Sequence, residues 1–393
     1  MARETKLWVK ALLPFGLVII LLLLFLKFGP LGVFKASVPP IEEVFIEKVT
    51  FSPEQITLKV FNDGPEPVTI AQVLVNDVYW KFDMTPSQTL KPLQRGYINI
   101  NYPWNDGDTE FITLISRNGV TFDKEVAVAF TTPQFNWVYF RTFILLGLYV
   151  GVIPVLLGLL WFPVLKKLKE RWYLFLLALT VGLLVFLGVD ALAESFELVG
   201  DVPRAFNGIG VLAMGFILAI LILSAVSYKT EHFKAAHHTK TLVWAYLIAL
   251  AIGIHNFGEG LAIGSAYAIG EIALGATLVI GFMIHNVTEG VAIVAPVTRT
   301  FHYIRRFVPH LIIMGIIAGA PTILGTLIGG FSYSPLLAIA FLAIGAGAIF
   351  DVSYDILHHM ANGRWLSLFT ITNVFGFLAG LLIMYLTAFA VLG

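Results

Sequence analysis

From Val138 to the C-terminus the chain divides into eight long apolar segments, near 138–163, 172–198, 206–228, 241–269, 271–297, 308–331, 335–358 and 366–391. At about 1.5 Å of rise per residue, each is long enough to cross a hydrocarbon layer about 30 Å thick. Such segments fold as helices, because lipid offers no partner to an exposed backbone N–H or C=O. This feature confines the chain to the α-helical polytopic membrane proteins. Composition agrees. Of the 393 residues, 58% are hydrophobic and only 13% are charged, against about 25% charged in a soluble domain. The formal net charge is zero, so no basic excess points to nucleic acid as a partner. The partner that the sequence demands is the lipid bilayer.

Ahead of these segments lie two regions of different character. The stretch from about Leu7 to Phe28 is apolar and flanked by Arg3, Lys6 and Lys10. It is long for a signal peptide, and Gly29-Pro30-Leu31 is a poor cleavage site. Residues 1–30 are therefore expected to be an uncleaved transmembrane anchor. Residues 39–133 alternate in short runs: Val44 to Ile46, Gln55 to Val60, Val68 to Val75, Tyr97 to Ile100, Glu110 to Ile115 and Lys124 to Phe130. Turn clusters such as Asn62-Asp63-Gly64-Pro65 and Asn105-Asp106-Gly107 divide them. Six or seven strands at this spacing predict a small antiparallel β-sandwich, immunoglobulin-like only in general form, since no Cys-Trp-Cys spacing is present. Nothing in the sequence names a partner for it.

The connectors give an orientation. Lys166 to Arg171, Lys229 to Lys240, Arg299 to Arg306 and, more weakly, His358 to Arg364 are basic, and they alternate with connectors poor in Lys and Arg. The positive-inside rule places the basic ones in the cytosol. The N-terminus is then cytosolic, and the sandwich and C-terminus are extracytosolic, in a multi-pass protein of the cell membrane.

Two segments contain nearly the same words. The fourth reads His255-Asn256-Phe257-Gly258-Glu259-Gly260, and the fifth reads His285-Asn286-Val287-Thr288-Glu289-Gly290. On a helix, His at i and Glu at i+4 share a face, and Asn at i+1 stands i,i+3 from the same Glu. Each Glu can thus serve two neighbouring centres. Each His lies roughly 20 Å into its span, near the bilayer middle. The short loop near Gly270 makes the helices antiparallel neighbours, so the motifs meet at one level. Polar residues in spans often do no more than pair helices. Two midplane carboxylates with no Lys or Arg in their own spans cost several kcal/mol each, and a divalent cation would neutralise both. With no cysteine in the chain, a metal must take His, carboxylate, amide or water, which suits labile transport better than thiolate storage.

The paired HNxxEG words resemble the fourth and fifth helices of the ZIP family of divalent-metal transporters, whose core has eight helices. The resemblance covers about residues 138–393. It implies an eight-helix transport domain, preceded here by the anchor and the small all-β sandwich. It also implies a primary metal site at His255, Glu259, His285 and Glu289. A second, adjacent site would use Asn256 and Asn286 and share the two Glu residues. The chain departs from the family in two places. Gly258 and Thr288 stand where bacterial members usually carry Pro, and Gly319-Ala320-Pro321 stands where the sixth helix often carries Glu-Pro. The loss of that carboxylate points to one tightly held metal rather than two.

Other polar residues suggest a path. Asp190, Glu194 and Glu197 form an i, i+4, i+7 stripe on the second segment, and Asp351 and Asp355 form an i, i+4 pair on the seventh. A stepwise cation relay and simple water-facing residues are both readings of these acids. His237, His238, His358 and His359 are candidate cytosolic metal contacts, although His pairs in loops are often only solvated. The expected function is movement of a divalent metal into the cytosol. Zn²⁺ is the first choice, followed by Fe²⁺, Mn²⁺, Co²⁺ or Cd²⁺. The metal is substrate, and no cofactor is expected. A homodimer is one possible assembly. The chain is not expected to be an enzyme. The rival function is an intramembrane zinc-dependent hydrolase, which needs an open metal position and a base; the HExxH arrangement is absent, although Glu259 could serve as a base.

Overall fold

The computed structural model describes residues 13–24, 41–126, 129–132, 135–232, 237–268, 272–298, 304–332, 334–361 and 363–392. It divides into two compact units, Met1–Glu42 and Glu43–Gly393. In the first, the described residues form one apolar helix, α1 (Leu13–Leu24). Its large side chains are exposed, as they are on a segment that faces lipid. The remainder of the anchor expected over 1–30 lies outside the described residues.

The second unit begins with nine strands among the described residues: β1 (Val44–Ser52), β2 (Gln55–Asn62), β3 (Val68–Val75), β4 (Val78–Trp80), β5 (Phe82–Thr85), β6 (Thr89–Leu90), β7 (Arg95–Ile100), β8 (Glu110–Ser116) and β9 (Thr121–Val126). One sheet runs β1-β2-β7-β5, and the other runs β4-β3-β8-β9 with β6 beside β3. All pairings are antiparallel. Alternation explains the core: Ile56, Leu58 and Val60 of β2 are fully buried, as are Ile98 and Ile100 of β7, because successive side chains point to opposite faces. In β3 the phase slips. Val68 and Ile70 are buried, and so are Val73 and Val75, because the register shifts between Ile70 and Gln72 and one extra residue is absorbed. The count exceeds six or seven because β4, β5 and β6 are too short to show a period in the sequence. The run expected over Lys124 to Phe130 forms β9 as far as Val126, and residues 127–128 lie outside the described set.

Helices follow: α2 (Trp137–Gly147), a π-turn (Leu148–Val152), α3 (Ile153–Leu159), α4 (Phe162–Leu165), α5 (Glu170–Glu197), α6 (Gly208–His232), α7 (His237–Ala268), α8 (Ile272–Val294), α9 (Ile304–Ser332), α10 (Pro335–Ala361) and α11 (Ile371–Leu392). Among the described residues, seven helical spans are long and apolar enough to cross a membrane, from Trp137–Leu165 through to Pro335–Ala361. They fit a multi-pass membrane protein. The expected eighth segment is helical over Ile371–Leu392; its described apolar stretch, Ile371–Leu386, is shorter than the other seven. Leu145, Ile217, Leu221, Ile312 and Leu382 are among the many large apolar side chains left exposed, which water would not favour and lipid does.

Close approach between helices rests on glycine. Gly260 of α7 faces Gly325 of α9, and a Cβ on Gly325 would sit 2.8 Å from the Gly260 Cα and closer still to the Phe257 carbonyl. Gly158 of α3 and Gly290 of α8 abut in the same way. Without a hydrophobic drive between helices in lipid, such small-residue contacts supply the packing. Gly325→Ala is therefore expected to destabilise the protein by about 1–3 kcal/mol through overpacking, despite the better helix propensity of Ala. Thermal unfolding in detergent, followed by size exclusion, checks this, with Gly16→Ala as a neutral control because nothing lies within 4 Å of that position.

In the sandwich, burial pushes the Glu47 carboxyl up, but hydrogen bonds and charge from Arg95 and Lys59 outweigh it and hold the group below its ordinary 4.5. Arg95 grips Glu47 through Nε and Nη2 at 2.8–3.0 Å, and Lys59 Nζ lies 2.9 Å away. A carboxylate whose folded pKa is depressed stabilises the fold above its unfolded pKa, and that contribution is lost as pH falls through the folded value. Glu47→Gln should lower the unfolding temperature at neutral pH, and the gap from the unmodified protein should close as the pH falls below 4.5. Denaturation at neutral and acid pH measures both.

Candidate metal centre

The two repeated words meet face to face. α7 carries His255, Asn256 and Glu259, and α8 carries His285, Asn286 and Glu289. All six side chains are buried. One ligand atom from each of His255, Glu259, His285 and Glu289 lies within 4.8 Å of the others. A tetrahedral zinc site with bonds near 2.0–2.2 Å has donor separations of about 3.4 Å, so side-chain adjustments of about an ångström would close this set around a cation. Glu259 is the hub. Its Oε1 pairs with His255 Nε2 at 3.1 Å and with His285 Nε2, and its Oε2 accepts from Asn286 Nδ2 at 3.1 Å. Glu289 Oε2 accepts from Asn256 Nδ2 at 3.1 Å. The i,i+4 His–Glu pair of the sequence is thus joined by a crosswise exchange, each Asn reaching the Glu of the opposite helix.

Backbone carbonyls aim the amides. Asn256 Nδ2 also donates to Ala318 O of α9, and Asn286 Nδ2 donates to Val150 O in the π-turn, each at 3.1 Å. Pro154 removes one rival donor for the second acceptor. Residue 154 would normally donate its N–H to the carbonyl of residue 150, and proline has none. With both amide nitrogens engaged in this way, Asn256 Oδ1 and Asn286 Oδ1 are buried without a hydrogen-bond partner, as are His255 Nδ1, Glu289 Oε1 and Thr322 Oγ1. Buried acceptors without donors are costly, and several gathered beside two carboxylates form an environment suited to a cation. No Lys or Arg occurs in residues 241–268 or 272–294.

Packing from other helices fixes the motif. Gly345 of α10 lies against the His255 backbone, and Gly258 against Leu342. Gly253 lies against the Ile317 carbonyl, which Pro321 leaves without its usual i+4 donor. Gly258 and Thr288 leave α7 and α8 helical throughout; Thr288 Oγ1 donates 2.6 Å to His285 O.

The remaining candidates fall into separate places. Asp190 is exposed on α5, near enough to His255 and His285 to interact with both electrostatically. Glu194 is half-buried and interacts with His255 and Asp190. Glu197 is exposed one turn further on. Asp351 and Asp355 are not drawn to the centre. They accept hydrogen bonds from Ser224 Oγ and Ser227 Oγ of α6, the second at 2.7 Å. His358 lies against the Tyr354 and Trp365 rings, and His359 against Trp244 at 4.8 Å between centroids. The side chains of His237 and His238 lie outside the described residues.

Sequence reasoning missed Val150 O, Ala318 O, Thr322, Ser224 and Ser227. Pro154 was the available signal for the first, since proline in a span frees the carbonyl four residues earlier. Hydroxyls such as Ser224 are too common in spans to stand out. No family model and no curated protein matches the sequence.

The arrangement predicts stoichiometry. Two dications would bring four positive charges against the two carboxylates of Glu259 and Glu289, and their mutual repulsion at a few Å in a low-dielectric site is large. At equilibrium with free Zn²⁺ the purified protein should bind one Zn²⁺ per chain, and Glu259→Gln should bind none. Elemental analysis by mass spectrometry measures both.

Proposed function

We propose that the chain is a ZIP-like transporter that carries a divalent metal ion, Zn²⁺ foremost, across the membrane into the cytosol. The observation that carries this is the buried His255–Glu259–His285–Glu289 cluster, whose four donors lie within 4.8 Å of one another on two membrane-type helices. The doubled HNxxEG words and the eight-segment sequence pattern support the family. A mixed set of imidazole, carboxylate and amide donors binds several divalent metals without strong preference, which favours passage over permanent storage. The cytosolic connectors are too short for a nucleotide-hydrolysing domain, so transport runs on ion gradients with alternate exposure of the site.

The orientation draws support from one contact. Asp63 of the sandwich accepts hydrogen bonds from Arg204 N and Ala205 N in the α5–α6 connector, so these two regions share a side of the protein. The positive-inside rule independently puts both outside. Asp190, Glu194 and Glu197 then form an outer approach to the site. Asp351 and Asp355 form an inner one, hydrogen-bonded to α6 serines until a cation passes.

Uptake of Zn²⁺, Fe²⁺, Mn²⁺, Co²⁺ and Cd²⁺ into proteoliposomes tests the proposal. Glu259→Ala or Glu289→Ala should abolish uptake, because each removes charge that offsets dehydration of the ion. Undiminished uptake by both variants at equal reconstitution would exclude this site as the route.

A further inference from the structure

The sandwich is not merely tethered to the helices through Trp137; it clasps the connector between α5 and α6. Four contacts make the clasp. Asp63, in the turn after β2, uses both carboxylate oxygens. Oδ2 accepts from Arg204 N, and Oδ1 accepts from Ala205 N at 2.9 Å. The Arg204 side chain turns back to Glu43, with Nε 3.4 Å from its carboxylate. Phe206 packs on Phe61 with centroids 5.3 Å apart. The Arg95 guanidinium, already held by Glu47, lies 5.2 Å from the Phe61 ring centre and 5.4 Å from that of Phe206.

What is clasped matters. The connector follows directly on the end of α5, where Glu197 is the last residue of the helix, and it continues through two short 3-10 turns, Leu198–Asp201 and Arg204–Phe206. Asn207 closes the second turn in the left-handed region, and its Oδ1 accepts from Gly210 N at the start of α6. Below the connector, Ser195 of α5 donates to Ile339 O of α10 at 3.2 Å. The connector is therefore held on two sides, by α10 from within the helical bundle and by Asp63 from the sandwich. The acids Asp190, Glu194 and Glu197 stand on the last two turns before it, and the first two are within electrostatic reach of His255.

We propose that Asp63 is a positioning residue for cation capture: by holding the α5–α6 connector it fixes the outer end of α5, and with it the acidic stripe that leads to the metal centre. This rests on the transport reading above, and it gives the sandwich a role in the helical domain. The carboxylate is suited to the task, because one rigid group accepts from two consecutive N–H donors that a 3-10 turn leaves free. Losing it leaves both donors without their partner and the clasp resting on the Arg204–Glu43 and Phe206–Phe61 contacts.

Full-chain protein in proteoliposomes gives the test, with Zn²⁺ uptake as one arm and hydrogen exchange of residues 198–207 as the other. Asp63→Ala should raise the KM for Zn²⁺ by roughly fivefold, the low end of typical intersite couplings, while the maximal rate stays near that of the unmodified protein. Asp63→Asn, which keeps one acceptor, should recover part of the loss. In a Glu194→Gln, Glu197→Gln background the Asp63→Ala effect on KM should shrink, because there is less acidic stripe left to position. Exchange over 198–207 should rise in Asp63→Ala. An unchanged KM alongside faster exchange would overturn the positioning role, and so would a fall in maximal rate without a change in KM. Unchanged exchange would overturn the clasp itself. No uptake by the unmodified protein would count against the transport reading instead, and the exchange arm would still decide whether Asp63 holds the connector.

Discussion

Two carboxylates buried side by side govern the helical domain. Among the described residues, Glu259 and Glu289 hydrogen-bond the imidazoles of His255 and His285 and the amides of Asn256 and Asn286, and no Lys or Arg shares their helices within residues 241–268 and 272–294. In a low-dielectric interior such a pair costs less where hydrogen-bond donors are aimed at it. The structure does this with an exchange across the helix pair: Asn256 serves the Glu of α8, and Asn286 the Glu of α7. Because the arrangement needs both helices, neither motif is complete alone, and the pairing of α7 with α8 follows from the chemistry as much as from the shortness of the loop between them.

The surrounding helices are shaped by what this pair requires. Asn256 and Asn286 each hold a second acceptor outside the pair, Ala318 O on α9 and Val150 O in the π-turn. For those carbonyls to reach the amides the helices must come close, and glycine permits it. Gly260 against Gly325, Gly158 against Gly290, and Gly345 against His255 bring α9, α3 and α10 within backbone contact of α7 and α8. The π-turn at Leu148–Val152, followed by Pro154, disturbs the first span where a free carbonyl is wanted. Irregular backbone beside a polar centre is a recurrent feature of membrane proteins, because the groups it frees can be satisfied by protein rather than lipid.

Much of this was legible in the sequence. Apolar length marked the spans, since a 30 Å hydrocarbon layer imposes a minimum that no soluble helix has to meet. The repeated His, Asn and Glu marked the centre, because their i, i+1, i+4 spacing places all three on one helical face in both segments. The strands of the sandwich were legible where the strand runs for six residues or more, as in Gln55–Asn62. They were not where it ran for three, as in Val78–Trp80. Tertiary partners were the least visible. Asp63 reads as an ordinary turn residue in Asn62-Asp63-Gly64-Pro65, and nothing local reveals that its carboxylate bonds a connector about 140 residues further along. Asp351 and Asp355 read as an acidic pair, but their serine partners on α6 come from the packing of α6 on α10, which no periodicity encodes.

The choice of asparagine rather than aspartate at positions 256 and 286 bears on how a transported ion could leave. Four carboxylates would hold a dication far more tightly, and in its absence they would repel one another strongly in a dry site. Two carboxylates match the charge of one dication, and the amides do a different task. Each gives its Nδ2 to a Glu and a carbonyl and so keeps the Glu side chains in place, while its Oδ1 remains without a partner. These oxygens can offer weak, neutral coordination beside the strong site. Conduction requires binding firm enough to admit an ion and loose enough to release it. A strong site flanked by a weak one meets both conditions in the proposed transport, since an ion moving from the imidazoles toward the amides exchanges ligands one at a time while remaining near the same two carboxylates.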